Sequence, residues 1–126
     1  MSSVRTTALV VFLAAAVGCS PNEHHVEGRV AYPDGRPLET GDVILECPAL
    51  KTGGFARITD DGRFRTATPL PAGEYVAYLV GAQRDANAVK SHEVRLVHKR
   101  FENPATSGFR VEVGRQPFVE FVVQKP

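Results

Sequence analysis

From Val26 to the end of the chain, hydrophobic and polar residues alternate with a period of two. In the first such segment Val26, Gly28 and Val30 share one side, and Glu27 and Arg29 share the other. Because successive side chains of a β-strand point to opposite faces of a sheet, this period predicts strands with one buried face. No long segment after residue 25 has helical periodicity. The alternation therefore predicts an all-β fold.

Turn signals divide the alternating region into seven or eight short strands. The segment "YPDGRPL" carries a Pro-Asp-Gly turn signal, and Asp61-Gly62 lies between two alternating runs, which predicts a hairpin. The run "GEYVAYLVG" is apolar on both faces and is predicted to be a central strand. Short strands separated by regular turn signals are typical of an antiparallel β-sandwich.

One segment, "RFENPATSGF", interrupts the strand pattern. Asn103 is a favourable N-cap residue, Pro104 suits the first helical position, and Gly108 suits a helix exit where φ is positive. We therefore predict a single helical turn here that joins two strands.

The residues before the alternating region have the pattern of an export signal. Arg5 supplies a positive charge, and the apolar run Ala8–Val17 is shorter than the roughly 20 residues that span a bilayer. We expect residues 1–18 to be a signal peptide that is cleaved after Gly18.

The letters "AVGC" at the end of this run resemble the bacterial lipobox, although Ala16 stands where that motif usually has leucine. The resemblance implies that Cys19 is the lipid attachment site and carries diacylglycerol on its sulfur. Two or more acyl chains hold a protein firmly on a membrane. Ser20, where an aspartate would signal inner-membrane retention, favours the outer membrane under the usual sorting rule.

Residues 19–25 are predicted to form a lipidated tether, and residues 26–126 the folded domain. His24 and His25, with Glu23, are residue types that ligate metals, but adjacent histidines point in different directions and no partners complete a site. We therefore predict no metal site.

Cys47 is the second of two cysteines. If Cys19 is acylated, Cys47 has no partner in the chain, and its alternating position at the end of "VILEC" predicts a buried structural thiol.

Three segments in order carry a family resemblance: "VEGRVAYPDGRPLETGDVIL", "TDDGRFRT" and "LPAGEYVAYLVG". Together they resemble the carboxypeptidase regulatory-like domain, and the resemblance implies a transthyretin-like (prealbumin-like), Ig-like sandwich. Hydroxyisourate hydrolases share that fold and end in a Tyr-Arg-Gly-Ser motif, whereas this chain ends "FVVQKP". The resemblance thus implies a fold but carries over no catalytic residue, because one fold serves many functions.

The balance of charge and the arrangement of the potentially catalytic residues argue against nucleic-acid-binding proteins and enzymes. Removal of residues 1–18 removes only Arg5 among the charged residues, so basic and acidic residues balance and the basic patch of a nucleic-acid binder is missing. Ser91, His92 and Glu93 are triad residue types, but three consecutive residues cannot adopt the geometry of a triad. His98 is predicted to be a half-exposed edge residue, and Asp60 and Asp61 are explained by turn chemistry. We expect no enzymatic activity and no cofactor.

The sequence therefore predicts an exported, lipid-anchored protein of the bacterial envelope, in which the domain is a non-catalytic structural or binding module. Its expected partners are the membrane, through lipid on Cys19, and an envelope protein or polysaccharide, but not nucleic acid. The alternative is a carbohydrate- or peptide-binding module. The chain has no tryptophan, and Tyr32, Tyr75 and Tyr78 fall in strand patterns. Tyr78 is the candidate binding aromatic, since it faces away from Tyr75 on one strand.

Overall fold

The computed structural model describes residues 23–87 and 92–126. These residues form short strands and one 3₁₀ helix, Lys99–Glu102. The strands are β1 (Glu23–His24), β2 (Glu27–Ala31), β3 (Asp42–Cys47), β4 (Thr52–Arg57), β5 (Arg63–Arg65), β6 (Leu70–Pro71), β7 (Gly73–Val80), β8 (Gln83–Asn87), β9 (His92–Arg95), β10 (Phe109–Val113) and β11 (Phe118–Val122). The predicted all-β class is confirmed.

Two larger sheets contain most of the strands. One has the order β10-β7-β3-β4 and is antiparallel throughout, with β7 as an inner strand as predicted. The other has the order β11-β2-β5. Here the prediction of a purely antiparallel arrangement was wrong, because β11 pairs with β2 in parallel, Phe118 opposite Glu27 and Val122 opposite Ala31. A period of two shows which face of a strand is buried but is the same for both strand directions.

One hydrophobic cluster joins the two sheets, as expected of a β-sandwich. Alternate residues of β3 and β7 point into it: Val43, Leu45 and Cys47 from β3, and Tyr75, Ala77 and Leu79 from β7. The thiol of Cys47 is free and buried, which confirms that prediction.

Four phenylalanine rings stack through the core at the side where β10 and β11 lie. Phe64 stacks on Phe121 at 5.8 Å between centroids, Phe121 on Phe109 at 4.3 Å, and Phe109 on Phe101 at 5.3 Å. The stack runs from the three-stranded sheet to β10 and on to the 3₁₀ helix, so ring packing joins the two sheets along this side.

The turn predicted at Asp61-Gly62 is present. Gly62 has a φ of +81°. Thr59 N–H donates a hydrogen bond to the Arg63 carbonyl, and the Thr59 carbonyl accepts one from Gly62 N–H. The two flanking strands, however, belong to different sheets: β4 pairs with β3, and β5 pairs with β2. The turn therefore carries the chain from one layer of the fold to the other.

The single helical turn predicted between Asn103 and Gly108 is present, and a 3₁₀ helix that was not predicted lies directly before it. The 3₁₀ helix is N-capped by His98 and ends with Asn103 as its C-cap. Asn103 also begins the predicted turn: its backbone carbonyl oxygen accepts from the N–H groups of Thr106 and Ser107, and its side-chain Oδ1 accepts from Ala105 N–H at 2.8 Å. Gly108 leaves this turn with a φ of +77°, as predicted. The Asn103 side chain thus caps the turn as the sequence predicted.

Strand pairing begins before Val26. Glu23 lies opposite Pro71, and His24 lies opposite Leu70. The end of the predicted tether is thus fixed to the domain, and Glu23 follows Cys19 by four positions along the chain.

Candidate functional site: the outer face of the four-stranded sheet

A row of apolar side chains crosses the outer face of the four-stranded sheet. Ile44 on β3 lies opposite Phe55 on β4 and, on its other side, opposite Tyr78 on β7. All three point away from the core, and the Phe55 side chain is 49% exposed. We call Phe55, Ile44 and Tyr78 the aromatic row. Adjacent strands are about 4.8 Å apart, which places the two aromatic residues roughly 10 Å from each other with an aliphatic residue between them.

Two valines extend this apolar surface along β7. Val76 and Val80 lie two residues to either side of Tyr78 and so share its face. Val76 is half-buried and Val80 is exposed. The row is therefore the centre of a small apolar patch on regular strands, whose backbone is held by hydrogen bonds on both sides of β3 and β7.

A carboxylate lies next to the row. The Tyr78 hydroxyl donates a hydrogen bond to Glu46 Oε2 at 2.9 Å. Burial of the ring, and after it the hydrogen bond to this carboxylate, raise the pKa of Tyr78 above its ordinary value. The phenol therefore stays neutral, and its hydrogen bond fixes both the ring of Tyr78 and the carboxylate of Glu46 in place.

Charged residues border the patch at the other end of β3. Arg57 Nε lies 3.5 Å from Asp42 Oδ1, and the Arg57 side chain is largely exposed. Within the described residues Asp42 Oδ1 is buried and makes no hydrogen bond, so this longer ionic contact is what balances its charge. A ligand on the row would thus meet polar groups on both sides of an apolar centre.

A shallow depression adjoins the row beside Glu46, lined also by Lys51, Thr52 and Gly53. A Cβ at Gly53 would collide with the carbonyl oxygen of Leu45, so the close approach of β3 and β4 requires glycine there. With no side chain at this outward position, the depression stays open beside Ile44.

The three tyrosines have different environments. Tyr75 is buried and donates to the Pro71 carbonyl at 2.8 Å. Tyr32 donates to the Leu96 carbonyl at 2.7 Å and has Lys125 near its ring. Tyr78 faces outward, opposite to Tyr75, as the sequence predicted.

Phe55 and Ile44 were not predicted from the sequence to belong to this surface. The signal was present in the alternation: Phe55 shares the parity of Gly53 and Arg57, whereas Ala56 and Ile58 have the buried parity. A large aromatic residue on the polar side of a strand indicates an exposed ring.

The other candidate residues do not join the row. His98 is half-buried and accepts a hydrogen bond from Arg100 N at 3.1 Å. Asp61 accepts from the Thr59 hydroxyl and the Arg63 N–H within its turn. In residues 23–87 and 92–126, no three His, Cys, Asp or Glu side chains lie close enough together to hold a metal ion.

Several predicted positions lie outside the described residues: the signal peptide 1–18 with its cleavage at Gly18, the lipid attachment residue Cys19, and Ser91. Over the part of the chain that the structure covers, no helix combines the length and hydrophobicity needed to cross a bilayer.

No protein-family model, no curated protein and no solved structure matches this chain.

Proposed function

We propose that this chain is a lipid-anchored protein of the bacterial envelope whose domain is a non-catalytic binding module, and that the aromatic row binds a glycan chain. The observation that carries the binding role is the row itself: Phe55 and Tyr78 face outward on one sheet with Ile44 between them. The resemblance to carboxypeptidase regulatory-like domains, and the transthyretin-like sandwich it implies, is part of the same proposal.

The chemistry of the patch favours a glycan. Sugar rings present C–H groups that pack on aromatic faces and hydroxyl groups that hydrogen-bond to carboxylates. Phe55 and Tyr78 supply the rings, and Glu46, fixed by the Tyr78 hydroxyl, supplies an acceptor beside them. The separation of about 10 Å allows two sugar rings of one chain to pack on the two aromatics.

The size of the patch argues against a stable protein–protein interface. None of its five side chains is more than about half exposed, so together they expose on the order of a few hundred Å². These are Ile44, Phe55, Val76, Tyr78 and Val80. A standard interface buries about 800 Å² on each partner. A bound peptide strand would instead pair with the edge of a sheet, whereas the row lies on a sheet face, with Ile44 and Tyr78 on inner strands and Phe55 on the edge strand β4.

The binding test compares Phe55→Ser and Tyr78→Ser with Phe118→Ser in the mature chain. Phe118 is a matched control, because its side chain is 47% exposed on the other sheet. The assay is co-sedimentation with purified peptidoglycan and with extracted envelope polysaccharides. We expect each row variant to bind about tenfold more weakly, equivalent to about 1.4 kcal/mol, and the control to bind normally.

Equal binding by all three folded variants would contradict the role of the row. If no polysaccharide binds the wild-type chain, the glycan assignment is wrong. Circular dichroism and thermal unfolding check that each variant is folded.

The anchor is supported by the apolar run Ala8–Val17, its length, and the "AVGC" sequence that ends at Cys19. Cys19→Ala should release the protein from membranes and abolish labelling with radioactive palmitate. Cys47→Ala is the matched control and should keep both properties, since Cys47 is buried in the core. Fractionation of the labelled protein then tests the outer-membrane location. Continued membrane association of Cys19→Ala would contradict the anchor.

A further inference from the structure

We infer that the end of the domain nearest Cys19 rests on the lipid surface through two exposed apolar side chains, Leu50 and Phe118. The inference rests on the proposed anchor, and it adds a second, non-covalent membrane contact with a defined orientation of the domain.

Covalent geometry places this end close to the anchor. Glu23 follows Cys19 by four positions, and a chain spans at most about 3.6 Å per residue, so whatever conformation the intervening residues adopt the two Cα atoms lie within about 14 Å. The eight residues of β7 extend roughly 27 Å from this end to the opposite one. A lipid on Cys19 would therefore keep the Glu23 end, and not the opposite end, next to the membrane.

The loops at this end form a continuous surface. Leu50, in the turn between β3 and β4, lies beside Gly73 at the start of β7. Gly114, after β10, lies beside His24 and Ala72. We call this surface the anchor end.

The surface continues to the start of β11. Pro117 lines one cavity together with Gly114, His24 and His25. Phe118 follows Pro117 and lies opposite Glu27, at the start of β2. Phe118 thus belongs to the anchor end.

Two large apolar side chains are exposed there. Leu50 is 48% exposed and Phe118 is 47% exposed. Leu50 occupies a tight turn with hydrogen bonds from Leu50 N to Cys47 O and from Lys51 N to Pro48 O, so its side chain is presented on a fixed loop. Exposed apolar residues on loops at the end of a sandwich that a lipid holds near a bilayer are placed to enter the interface.

The charged residues of the anchor end do not favour an electrostatic contact with the membrane. The anchor end carries Lys51, Arg65 and Arg115 against four glutamates, and two of the cations are already paired. Arg65 Nε contacts Glu27 at 3.0 Å, and Arg115 Nη1 contacts Glu112 at 3.5 Å. The remaining two acids of this end are Glu23 and Glu74. With nearly balanced charge, we expect the contact to form on neutral lipid and to be insensitive to salt.

The test uses the absence of tryptophan from the chain. The mature chain carrying Cys47→Ala has one thiol, Cys19, which is coupled to a maleimide phospholipid in vesicles of phosphatidylcholine with brominated acyl chains. Phe118→Trp reports on the anchor end. Val122→Trp is the matched control, because Val122 is 52% exposed on the same strand and about 13 Å further from that end.

We expect the bromine atoms to quench Phe118→Trp at least threefold more than Val122→Trp, in low and in high salt alike. Equal quenching at both positions, or none at either, would overturn the inference. Quenching that requires anionic lipid would overturn its apolar basis. Leu50→Trp, with Val80→Trp as its control at the far end, repeats the measurement if Phe118→Trp does not fold.

Chemical coupling separates this inference from the anchor proposal, because it supplies the lipid whatever the cell does. If palmitate labelling succeeds in cells and quenching is symmetric, only this inference is wrong. If labelling fails and quenching is asymmetric, the cellular anchor is wrong, and the apolar contact remains a property of the domain.

Discussion

Gly28→Ala should be one of the most damaging single-methyl additions to this fold. Gly28 lies inside the sandwich on β2, opposite Phe64 on one side and Val119 on the other. A Cβ at this position would lie 2.6 Å from Phe64 Cζ and 2.8 Å from Val119 Cγ2, and it would also collide with the Val119 carbonyl oxygen. The absence of a side chain lets the Phe64 ring lie across β2 and stack on Phe121.

The magnitude follows from these contacts. Overpacking a core costs about 1–3 kcal/mol, and here a backbone carbonyl, which cannot rotate away, forms one side of the clash. Displacement of Phe64 from its stack adds about 0.5–1.5 kcal/mol. We therefore expect Gly28→Ala to lower the free energy of unfolding by about 3 kcal/mol, which for a domain of this size lowers Tm by about 12–24 °C.

Thermal and urea unfolding followed by circular dichroism measure this loss. Gly35→Ala is the control: apart from its two chain neighbours, no residue has an atom within 4 Å of an added Cβ, so only the φ of +91° should cost stability, about 1 kcal/mol. A loss below about 1 kcal/mol for Gly28→Ala would refute the steric argument. Phe64→Leu should cost less in the Gly28→Ala background than alone, because the shorter side chain removes one of the clashes.

Three further predictions concern other parts of the fold. Ser107→Ala should cost about 1–3 kcal/mol in urea unfolding, because the buried Ser107 hydroxyl donates to a carbonyl and accepts from Phe109 N. Lys51→Gly should raise the free energy of unfolding by about 1 kcal/mol, since Lys51 has a φ of +53°, which glycine adopts without strain. The hydrogen bond from the Thr59 hydroxyl lowers the pKa of Asp61 below its ordinary 3.8. The ionised Asp61 carboxylate therefore stabilises the fold above that pH, and this stabilisation is lost as the pH falls through the folded-state pKa. The Tm of the wild type should therefore fall more steeply below about pH 4 than that of Asp61→Asn.

What the sequence predicted correctly was local. The turn at Asp61-Gly62 depends on the φ of one glycine and on bonds within five residues, so its residues were enough to predict it. The burial of Cys47 followed from alternation within β3. Both features are decided by residues that are near each other in the chain.

What the sequence did not predict depends on distant partners. The sheets that β4 and β5 join, and the parallel pairing of β2 with β11, are decided by contacts between segments far apart in the chain. The aromatic row has the same origin: Phe55 and Tyr78 are 23 positions apart and share a face only because β3 lies between their strands. A pattern along one strand shows which way a ring points but not which ring stands beside it.

The proposed anchor and the proposed binding role of the aromatic row limit each other. Tyr78 lies five residues along β7 from Gly73 at the anchor end, which is about 17 Å. With at most about 14 Å between Cys19 and Glu23, an anchored domain would hold the row within roughly 30 Å of the membrane. Only an envelope polymer that enters this layer could reach it. Confinement to the layer would raise the effective concentration of the polymer, so a contact of a few hundred Å² that binds weakly in the free protein would be occupied more fully in one held by lipid.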